Sequence, residues 1–338
     1  MDQVAESNLT VPPRRSAAAI LDGMRTGDGP VLPARMHSYR TGFDPLDRLL
    51  EGGIRPHDLI LVGGVPGVGK TVLAMQWARQ MALDGRTVVF VCYEHEEHVL
   101  LQRLLSLELG MIAGADDVTE LGELRSLIVE LTEGRKDLSE LLVDRPLLAL
   151  AIEAFEQYAD RLLLIRGSGA GTGLPELATM VSDVEGDPVL FVDYLQKVAV
   201  QPEPETEGDK VRRVAEGLKD LALSYEIPVV AVVAADFDGL TARRLRLHHL
   251  RGSSALAYEC DVAVLLNDKF RSVAKRHLAY DPVKAETFKQ WAVATIEKNR
   301  GGLAMVDTEF RKDFAHYRFD PVGRHLAETL VDERFDEA

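Results

Sequence analysis

Short runs of apolar, mostly β-branched residues alternate along the chain with longer stretches in which apolar residues recur at helical spacing. The short runs are almost entirely apolar, which is typical of strands buried on both faces of a sheet. Strands are predicted at Leu59–Val62, Val88–Tyr93, Leu162–Ile165, Val189–Val192, Val229–Val233, Val262–Leu266 and Ala292–Ile296. Helices are predicted between them, at Lys70–Leu83, His98–Leu109, Leu147–Tyr158 and Val211–Tyr225. This alternation indicates an α/β fold with a mostly parallel sheet flanked by helices.

The pattern divides the chain into an arm, a core domain and a tail. Residues 1–37 mix proline, glycine, serine and arginine without a strand pattern, and residues 16–25 are predicted to form a short helix. This arm is either an unstructured linker or a segment that docks on a neighbouring subunit. Residues 38–325 are predicted to form one α/β domain with a charged helical insertion over 113–145 at the sheet edge. Residues 326–338 are predicted to be an acidic tail.

Composition excludes several classes of protein. The chain is 46% hydrophobic, enough to bury a normal core. Its two cysteines rule out a disulfide scaffold and fit a reducing compartment, and no apolar run is long enough to cross a membrane. We therefore predict a cytoplasmic protein without a membrane partner. The net charge of −15 argues against a coat of nucleic acid, but it leaves room for one basic channel.

The segment between the first predicted strand and the helix Lys70–Leu83 matches the phosphate-binding pattern G-x-x-x-x-G-K-[ST] at every fixed position. Its glycines let the backbone curl so that N–H groups point at phosphate oxygens, and the helix N-terminus adds a favourable dipole. Lys70 would reach the β- and γ-phosphates of a nucleotide, and the Thr71 hydroxyl would ligate Mg²⁺. The predicted nucleotide-binding residues are Gly64, Val65, Pro66, Gly67, Val68, Gly69, Lys70 and Thr71.

Two predicted strands end in carboxylates, which supply what a phosphate-binding loop alone lacks. Asp193 directly follows one apolar strand and is predicted to hold Mg²⁺ together with Thr71. Glu94 directly follows another and is predicted to polarise the attacking water. Strands often end in acids that have no function, but these two share a predicted sheet with the phosphate loop. We therefore interpret Glu94 and Asp193, with Lys70, as catalytic residues.

These segments resemble a RecA-type ATPase core and, more narrowly, the C-terminal motor domain of DnaB-type replicative helicases. The resemblance covers roughly residues 41–320 and rests on the phosphate loop and on Thr41–Asp47, Asp193–Gln196, Leu250–Arg251 and Lys298–Gly301. It implies a RecA-like P-loop fold that takes ATP with Mg²⁺ and assembles into a homo-oligomeric ring, usually a hexamer. The residues Lys298–Gly301 are also similar to the RadA branch of the superfamily.

The same resemblance implies an ATP site shared between subunits. The phosphate loop, Glu94 and Asp193 would act in the subunit that holds ATP, while Lys298 and Arg300 would reach the γ-phosphate from its neighbour. A guanidinium positioned against the charge that develops on the γ-phosphoryl group can raise the rate by about 10³–10⁵. Without the resemblance, Lys298 and Arg300 would be ordinary surface charges after a strand.

The sequence departs from the family pattern at three places. Where the family has a glutamine that senses the γ-phosphate, this chain has Ala234, whose side chain forms no hydrogen bond. Gly252 replaces an acid that follows the family's channel-loop arginine. The family's N-terminal collar domain is not expected in the short stretch before the core. A replicative role would therefore require another protein, such as a loader.

A basic segment interrupts the acidic chain. Residues 239–258 contain four arginines and no acid, and they fall where the family places its DNA-facing channel loop. Backbone phosphates of a single strand would be contacted without sequence preference. The alternative is a solvated basic face or an inter-subunit salt-bridge patch that pairs with acids elsewhere. The candidate nucleic-acid-binding residues are Arg243, Arg244, Arg246 and Arg251.

Together, these features predict an ATP-hydrolysing, ring-forming motor similar to the DnaB helicase, acting on single-stranded DNA or RNA, with a place in DNA replication. An alternative is a KaiC-like or RadA-like RecA-fold ATPase that has a regulatory or recombination role and no helicase activity. Ala234 and the missing collar favour the alternative, whereas the basic segment favours the motor.

Overall fold

The computed structural model describes residues 16–26, 37–113, 118–186 and 188–331. It divides the chain into two compact units, 1–37 and 38–338. In the first unit, helix α1 spans Ala17–Thr26, one residue later than the predicted helix, and Ser16 Oγ accepts a hydrogen bond from the Ala19 N–H at 3.1 Å. Most of the predicted arm lies outside the described residues, so both interpretations of the arm stay predictions.

The second unit is built around one twisted sheet with strand order β10-β8-β7-β6-β1-β5-β4-β2-β3, in which β9 pairs with β8. Strands β6, β1, β5, β4, β2 and β3 are parallel, while β7, β8, β9 and β10 pair in antiparallel fashion. The strands are β1 Leu59–Gly64, β2 Val88–Cys92, β3 Leu162–Arg166, β4 Val189–Asp193, β5 Val229–Ala234, β6 Val262–Asp268, β7 Trp291–Asn299, β8 Val306–Asp313, β9 Arg318–Phe319 and β10 Arg324–His325. The α/β prediction is confirmed, and every predicted strand is present.

Helices cover both faces of this sheet. Alternate residues of each central strand face opposite sides, so Ile60 and Val62 pack with α3 and α4, while Leu59 and Leu61 pack with α8, α9 and α11. The parallel strands are apolar throughout because both of their faces are covered. The helices are α2 Leu46–Leu49, α3 Lys70–Leu83, α4 Glu97–Ala113, α5 Val118–Thr132, α6 Leu138–Leu142, α7 Pro146–Glu156, α8 Leu174–Ser182, α9 Glu207–Ser224, α10 Phe237–Thr241, α11 Ser253–Glu259, α12 Lys269–Ser272, α13 Lys275–Tyr280 and α14 Pro282–Thr287.

The predicted helical insertion forms a small core of its own beside the edge strand β3. Helices α5 and α6 pack against α4 and α7 through buried leucines and isoleucines. Among the described residues, no helix is both long and apolar enough to span a bilayer. Both cysteines are buried and unpaired.

The prediction that an acidic tail begins at residue 326 is wrong for residues 326–331. Leu330 and Val331 are buried, the Val331 N–H donates to the Ser272 carbonyl at 2.8 Å, and the Ala274 N–H donates to the Thr329 carbonyl at 3.0 Å. Glu328 accepts a hydrogen bond at 2.7 Å from the fully buried ammonium of Lys269. This segment therefore closes a small core over α12, and the acid that suggested a tail is a buried counter-charge.

This docking gives a first prediction. Replacing Leu330 by alanine should lower the free energy of unfolding by about 2 kcal/mol or more, because a buried leucine leaves a cavity that the surroundings fill only in part. Urea denaturation measures the change, with Leu223→Ala on the exposed face of α9 as the control. Equal losses in the two variants would contradict the docked segment.

Candidate nucleotide site

The phosphate loop joins the buried strand β1 to helix α3, which begins at Lys70. Gly69 adopts the left-handed backbone conformation with φ of 103°, and a Cβ there would lie 2.6 Å from the ring of Phe319. Only glycine fits that position without displacing the aromatic ring. The loop backbone and the first turn of α3 therefore form a concave surface of N–H groups of the kind that binds phosphate.

Thr71 and Asp193 meet at the carboxyl end of the sheet. The Thr71 hydroxyl donates to Asp193 Oδ2 at 2.7 Å, and Asp193 is 1% exposed. Burial, reinforced by the nearby charge of Glu94, raises the pKa of Asp193 to about 6. A hydroxyl beside a buried carboxylate is a donor set that suits Mg²⁺, whose charge would offset this cost of burial. The residues present therefore fit the metal.

Lys70 and Glu94 lie beside this pair. Burial lowers the pKa of Lys70, while the charges of Asp193 and Glu94 act in the opposite direction. The Lys70 ammonium donates to the Val65 carbonyl within the phosphate loop at 3.1 Å. Glu94 is exposed at the mouth of the site, two residues past the end of β2, and is free to contact water.

These residues line one cavity of about 440 Å³ at the carboxyl edge of the parallel strands. Such an edge, in a crevice outside the strand ends, is where open α/β sheets bind ligands. The lining residues are Pro66, Gly67, Gly69, Lys70, Thr71, Val72, Glu94, His95, Arg103, Asp193, Tyr194, Val232, Ala234, Phe314 and Tyr317.

An aromatic wall that the sequence pattern did not predict closes one side of this cavity. Phe314 and Tyr317 lie in the turn between β8 and β9, and the Arg103 guanidinium is 5.3 Å from the centre of the Tyr317 ring. Aromatic and guanidinium planes are surfaces on which a nucleotide base stacks. The sequence signal was the aromatic run from Phe314 to Phe319, but β8, which positions it, had not been predicted.

Lys298 and Arg300 lie at the opposite edge of the sheet, the one at which the parallel strands begin. Strand β7 runs antiparallel to β6, so Lys298 pairs with Ala263, whereas Gly64 of the phosphate loop pairs with Leu266. Three residues, about 10 Å of strand, separate these positions. The Lys298 ammonium turns further away, donating to the Ala257 carbonyl at 2.7 Å at the end of α11. Neither cation lines the cavity of its own chain.

Asp261 holds this opposite edge together. Its Oδ1 accepts from Arg300 at 3.2 Å, and its Oδ2 accepts from Lys219 at 2.7 Å and from the Leu59 N–H at 2.8 Å. Asp58 lies close to Asp261, but its carboxylate does not share the three hydrogen-bond donors that Asp261 has. Burial raises the pKa of Asp58 to about 6, and the charge of Asp261 adds to the shift.

The structure separates the four arginines of the basic segment. Arg244 pairs with Asp307 at 2.9 Å and is 11% exposed, and Arg246 pairs with Glu297. Arg243 donates to the Val273 carbonyl at 3.2 Å. Their side chains are thus engaged within the chain, and the acids that pair with Arg244 and Arg246 belong to the same chain. Their role in nucleic-acid binding stays a prediction.

Arg251 is the most exposed of the four. Its side chain is 47% exposed and pairs with Glu207 at 2.5 Å, another half-exposed group. The next residue, Gly252, caps α11 with φ of 83°, and a Cβ there would collide with the side chain of Val211. Gly252 stands where the family pattern has an acid, and the structure gives a steric reason for the glycine: the loop packs directly on α9 and leaves no room for a side chain.

Comparison with known proteins identifies the family. The DnaB-like helicase C-terminal domain pattern matches residues 39–319, so the chain belongs to that family. The expected RecA-like P-loop fold is also borne out by a solved structure of a DnaB-like replicative helicase. It superposes with a TM-score of 0.66 at 19% sequence identity, covering 89% of this chain and 65% of the other.

Two curated relatives show how far the likeness extends. The replicative DNA helicase DnaB of Rickettsia bellii is 25% identical over 304 residues, which cover 84% of this chain and 55% of that protein. The chain thus spans about half the length of this relative. The DNA repair protein RadA of Mycobacterium tuberculosis is 36% identical over 97 residues, but these cover 28% of this chain and 19% of the relative.

The electrostatics of Asp58 give a second prediction. Replacing Asp58 by asparagine should raise the free energy of unfolding by about 1 kcal/mol near neutral pH, since the folded protein no longer bears the cost of ionising a partly buried acid. A raised pKa means that this penalty is absent below about pH 4 and complete well above pH 6. The gain should therefore shrink as the pH falls through 6.

Urea denaturation between about pH 7.5 and about pH 5.5 measures this dependence. Asp220→Asn on the exposed face of α9 is the control and should change stability by less than about 0.5 kcal/mol. A loss of stability in Asp58→Asn at neutral pH would show that Asp58 serves chiefly as a counter-charge to Lys219 and Arg300.

Proposed function

We propose that the chain is the ATP-hydrolysing motor of a DnaB-like ring, usually hexameric, that translocates on single-stranded DNA in the cytoplasm. One observation carries the proposal: the phosphate-binding cavity and the pair Lys298 and Arg300 lie at opposite edges of one sheet. A head-to-tail contact between copies brings these edges together, and such contacts close into rings.

Within one subunit, the residues of the cavity divide the work of hydrolysis. The phosphate loop and Lys70 bind and orient the triphosphate, and Thr71 and Asp193 would hold Mg²⁺. A divalent metal held there would neutralise charge on the triphosphate. Glu94 accepts a proton from water as the water oxygen bonds to the γ-phosphorus. The bond from that phosphorus to the β–γ bridging oxygen breaks, giving ADP and phosphate.

The neighbouring subunit completes this site. Arg300 is 51% exposed, its Nη1 donates to one oxygen of Asp261, and its Nη2 donates to the Tyr258 carbonyl. The other N–H groups of the guanidinium can be offered to a phosphate. Lys298 is anchored on the carboxyl end of α11 next to it. Charge that develops on the γ-phosphoryl oxygens in one subunit is stabilised by these cations from the next.

For the nucleic acid, Arg251 is the leading contact. It is half-exposed at the start of α11, and its partner Glu207 is also half-exposed, so a phosphate can replace that partner at small cost. Arg244 and Arg246 instead fix the segment to acids of β8 and β7. Six copies of Arg251 around a pore would concentrate positive potential within an acidic protein.

A KaiC-like or RadA-like regulatory or recombination ATPase is the second candidate. It is favoured by Ala234 at the cavity, where the sensor glutamine is absent, and by the internal pairing of Arg244 and Arg246. Stimulation of ATP hydrolysis by single-stranded DNA, together with salt-dependent DNA binding, distinguishes the motor from this candidate.

The shared site gives a third prediction. Lys70→Ala and Arg300→Ala should each abolish ATP hydrolysis, although the Arg300 variant should still bind nucleotide. An equal mixture of the two variants should recover about a quarter of the wild-type rate, because a random ring places an intact Lys70 opposite an intact Arg300 at that fraction of interfaces. Steady-state ATPase assays of separate and mixed subunits measure this.

Arg311→Ala, which removes an exposed arginine of β8, is the matched control and should leave the rate unchanged. Full activity of Arg300→Ala on its own would rule out Arg300 as a cation supplied by the neighbour. Inactivity of a mixture that demonstrably co-assembles would do the same.

The arginines give a fourth prediction. Arg251→Ala should weaken binding of single-stranded DNA severalfold and flatten its salt dependence, since one phosphate contact per subunit is lost. Arg244→Ala should instead lower stability, because it leaves the partly buried Asp307 without its cationic partner. Fluorescence anisotropy with a labelled oligonucleotide, beside urea denaturation, separates the two effects. DNA binding by Arg251→Ala with the wild-type salt slope would remove Arg251 from the interface.

A further inference from the structure

The position of Ala234 leaves a gap between the nucleotide and the basic segment. Ala234 ends β5, pairs in register with Gly64 at the start of the phosphate loop, and lines the cavity. Its methyl group forms no hydrogen bond with a phosphate. A change of nucleotide must therefore reach the basic segment through a group other than the Ala234 side chain.

Gln196 occupies the space behind Ala234. Its Oε1 accepts from the Ala234 N–H at 3.3 Å, and its Nε2 lies 3.5 Å from the Ala234 carbonyl and 3.3 Å from the Arg251 carbonyl. The side chain is 7% exposed, so water competes little for these contacts. One amide thus joins the end of β5 to the residue proposed to contact DNA.

The other end of this connection lies in the nucleotide site. Gln196 is three residues past Asp193, and Tyr194 between them lines the cavity. On the far side, the Arg251 N–H donates to the Ala234 carbonyl at 3.1 Å, and Leu250 forms a bridge with Ala235. The strand that ends at Asp193, the sensor position at Ala234 and the loop of Arg251 therefore share one partly buried hydrogen-bonded cluster.

We infer that Gln196 is a positioning residue that couples the nucleotide state of the cavity to the position of Arg251, in place of the absent sensor side chain. The inference rests on the proposed function. Movement of the Asp193–Tyr194 segment when nucleotide binds shifts the Gln196 amide, and the amide carries the Arg251 carbonyl with it. Coupling of this kind between two sites typically changes affinity by about 5–150-fold.

The chemistry of the contact explains why an amide is needed. Two of its three partners are carbonyl oxygens, which need a donor, and the third is an N–H, which needs an acceptor. Glutamate has the same shape but only acceptors when ionised, and it would repel both carbonyls. Gln196→Glu therefore loses the two donor contacts of the side chain without a large change in volume, while Gln196→Ala loses all three contacts by truncation. The backbone bond between Arg251 and Ala234 stays in both variants.

Gln76 provides a matched control elsewhere in the fold. It is 6% exposed, and its amide also bonds a backbone in both directions, donating to the Phe319 carbonyl at 3.0 Å and accepting from the Phe319 N–H at 2.7 Å. Gln76→Ala should lower stability to a similar extent. It does not touch Ala234 or Arg251, so it should leave the coupling intact.

The first readout compares ATP hydrolysis by the full chain with and without single-stranded DNA. Gln196→Glu and Gln196→Ala should keep basal hydrolysis within about twofold of wild type but lose about fivefold or more of the stimulation by DNA. Gln76→Ala should keep the stimulation. Wild-type stimulation in both Gln196 variants, or an equal loss in Gln76→Ala, would overturn the inference.

The second readout needs no DNA and separates this inference from the proposed function. Hydrogen exchange at the Arg251 amide should differ between the ADP and ATP-analogue states of the wild type, and this difference should vanish in both Gln196 variants. If wild-type protein shows no response to DNA, the proposed motor fails, and exchange at Arg251 still decides the coupling. A nucleotide-dependent difference that persists in the variants would overturn the inference.

Discussion

The direction of the strands is the constraint on which the rest of the structure depends. Because the central strands run parallel, the phosphate loop, Glu94 and Asp193 meet at one edge of the sheet. Because β7 returns antiparallel to β6, Lys298 and Arg300 emerge at the other edge. The chain thus carries two unlike edges, and the head-to-tail assembly that we propose would bring them together.

Burial in the sheet also sets the electrostatics of both edges. The central strands are covered on both faces, so acids at their ends are only partly hydrated, and the pKa values of Asp193 and Asp58 both rise to about 6. At the cavity, a divalent cation bound to Asp193 would offset the cost of burying its negative charge. At the opposite edge, Asp261 offsets the cost of its own burial by accepting hydrogen bonds from Lys219, Arg300 and a backbone N–H.

Much of the fold follows from local pattern, and what was missed depends on distant partners. The parallel strands can be predicted from sequence because burial on both faces demands continuous apolar runs. Helix α3 can be predicted because it follows the phosphate-binding pattern directly. Strand β8 was missed because its sequence, VDTEFRKD, is largely charged. Its acids pair with Lys269, Arg244 and Arg324, which lie far away in sequence or beyond a turn. Long-range pairing also explains two other differences from the prediction. Glu328, in the predicted acidic tail, pairs with the buried Lys269, and Arg244 and Arg246 pair with acids of β8 and β7.

The most direct test of the account is a structure of the assembled protein with Mg²⁺ and a non-hydrolysable ATP analogue. The distance from the Arg300 guanidinium to the nearest γ-phosphate is the quantity to measure. If the ATP site is shared between subunits, the guanidinium will lie at hydrogen-bonding distance, about 3 Å, from a nucleotide held by the neighbouring subunit's phosphate loop. A nucleotide bound by isolated subunits, with Arg300 still paired to Asp261 and remote from every phosphate, would contradict it.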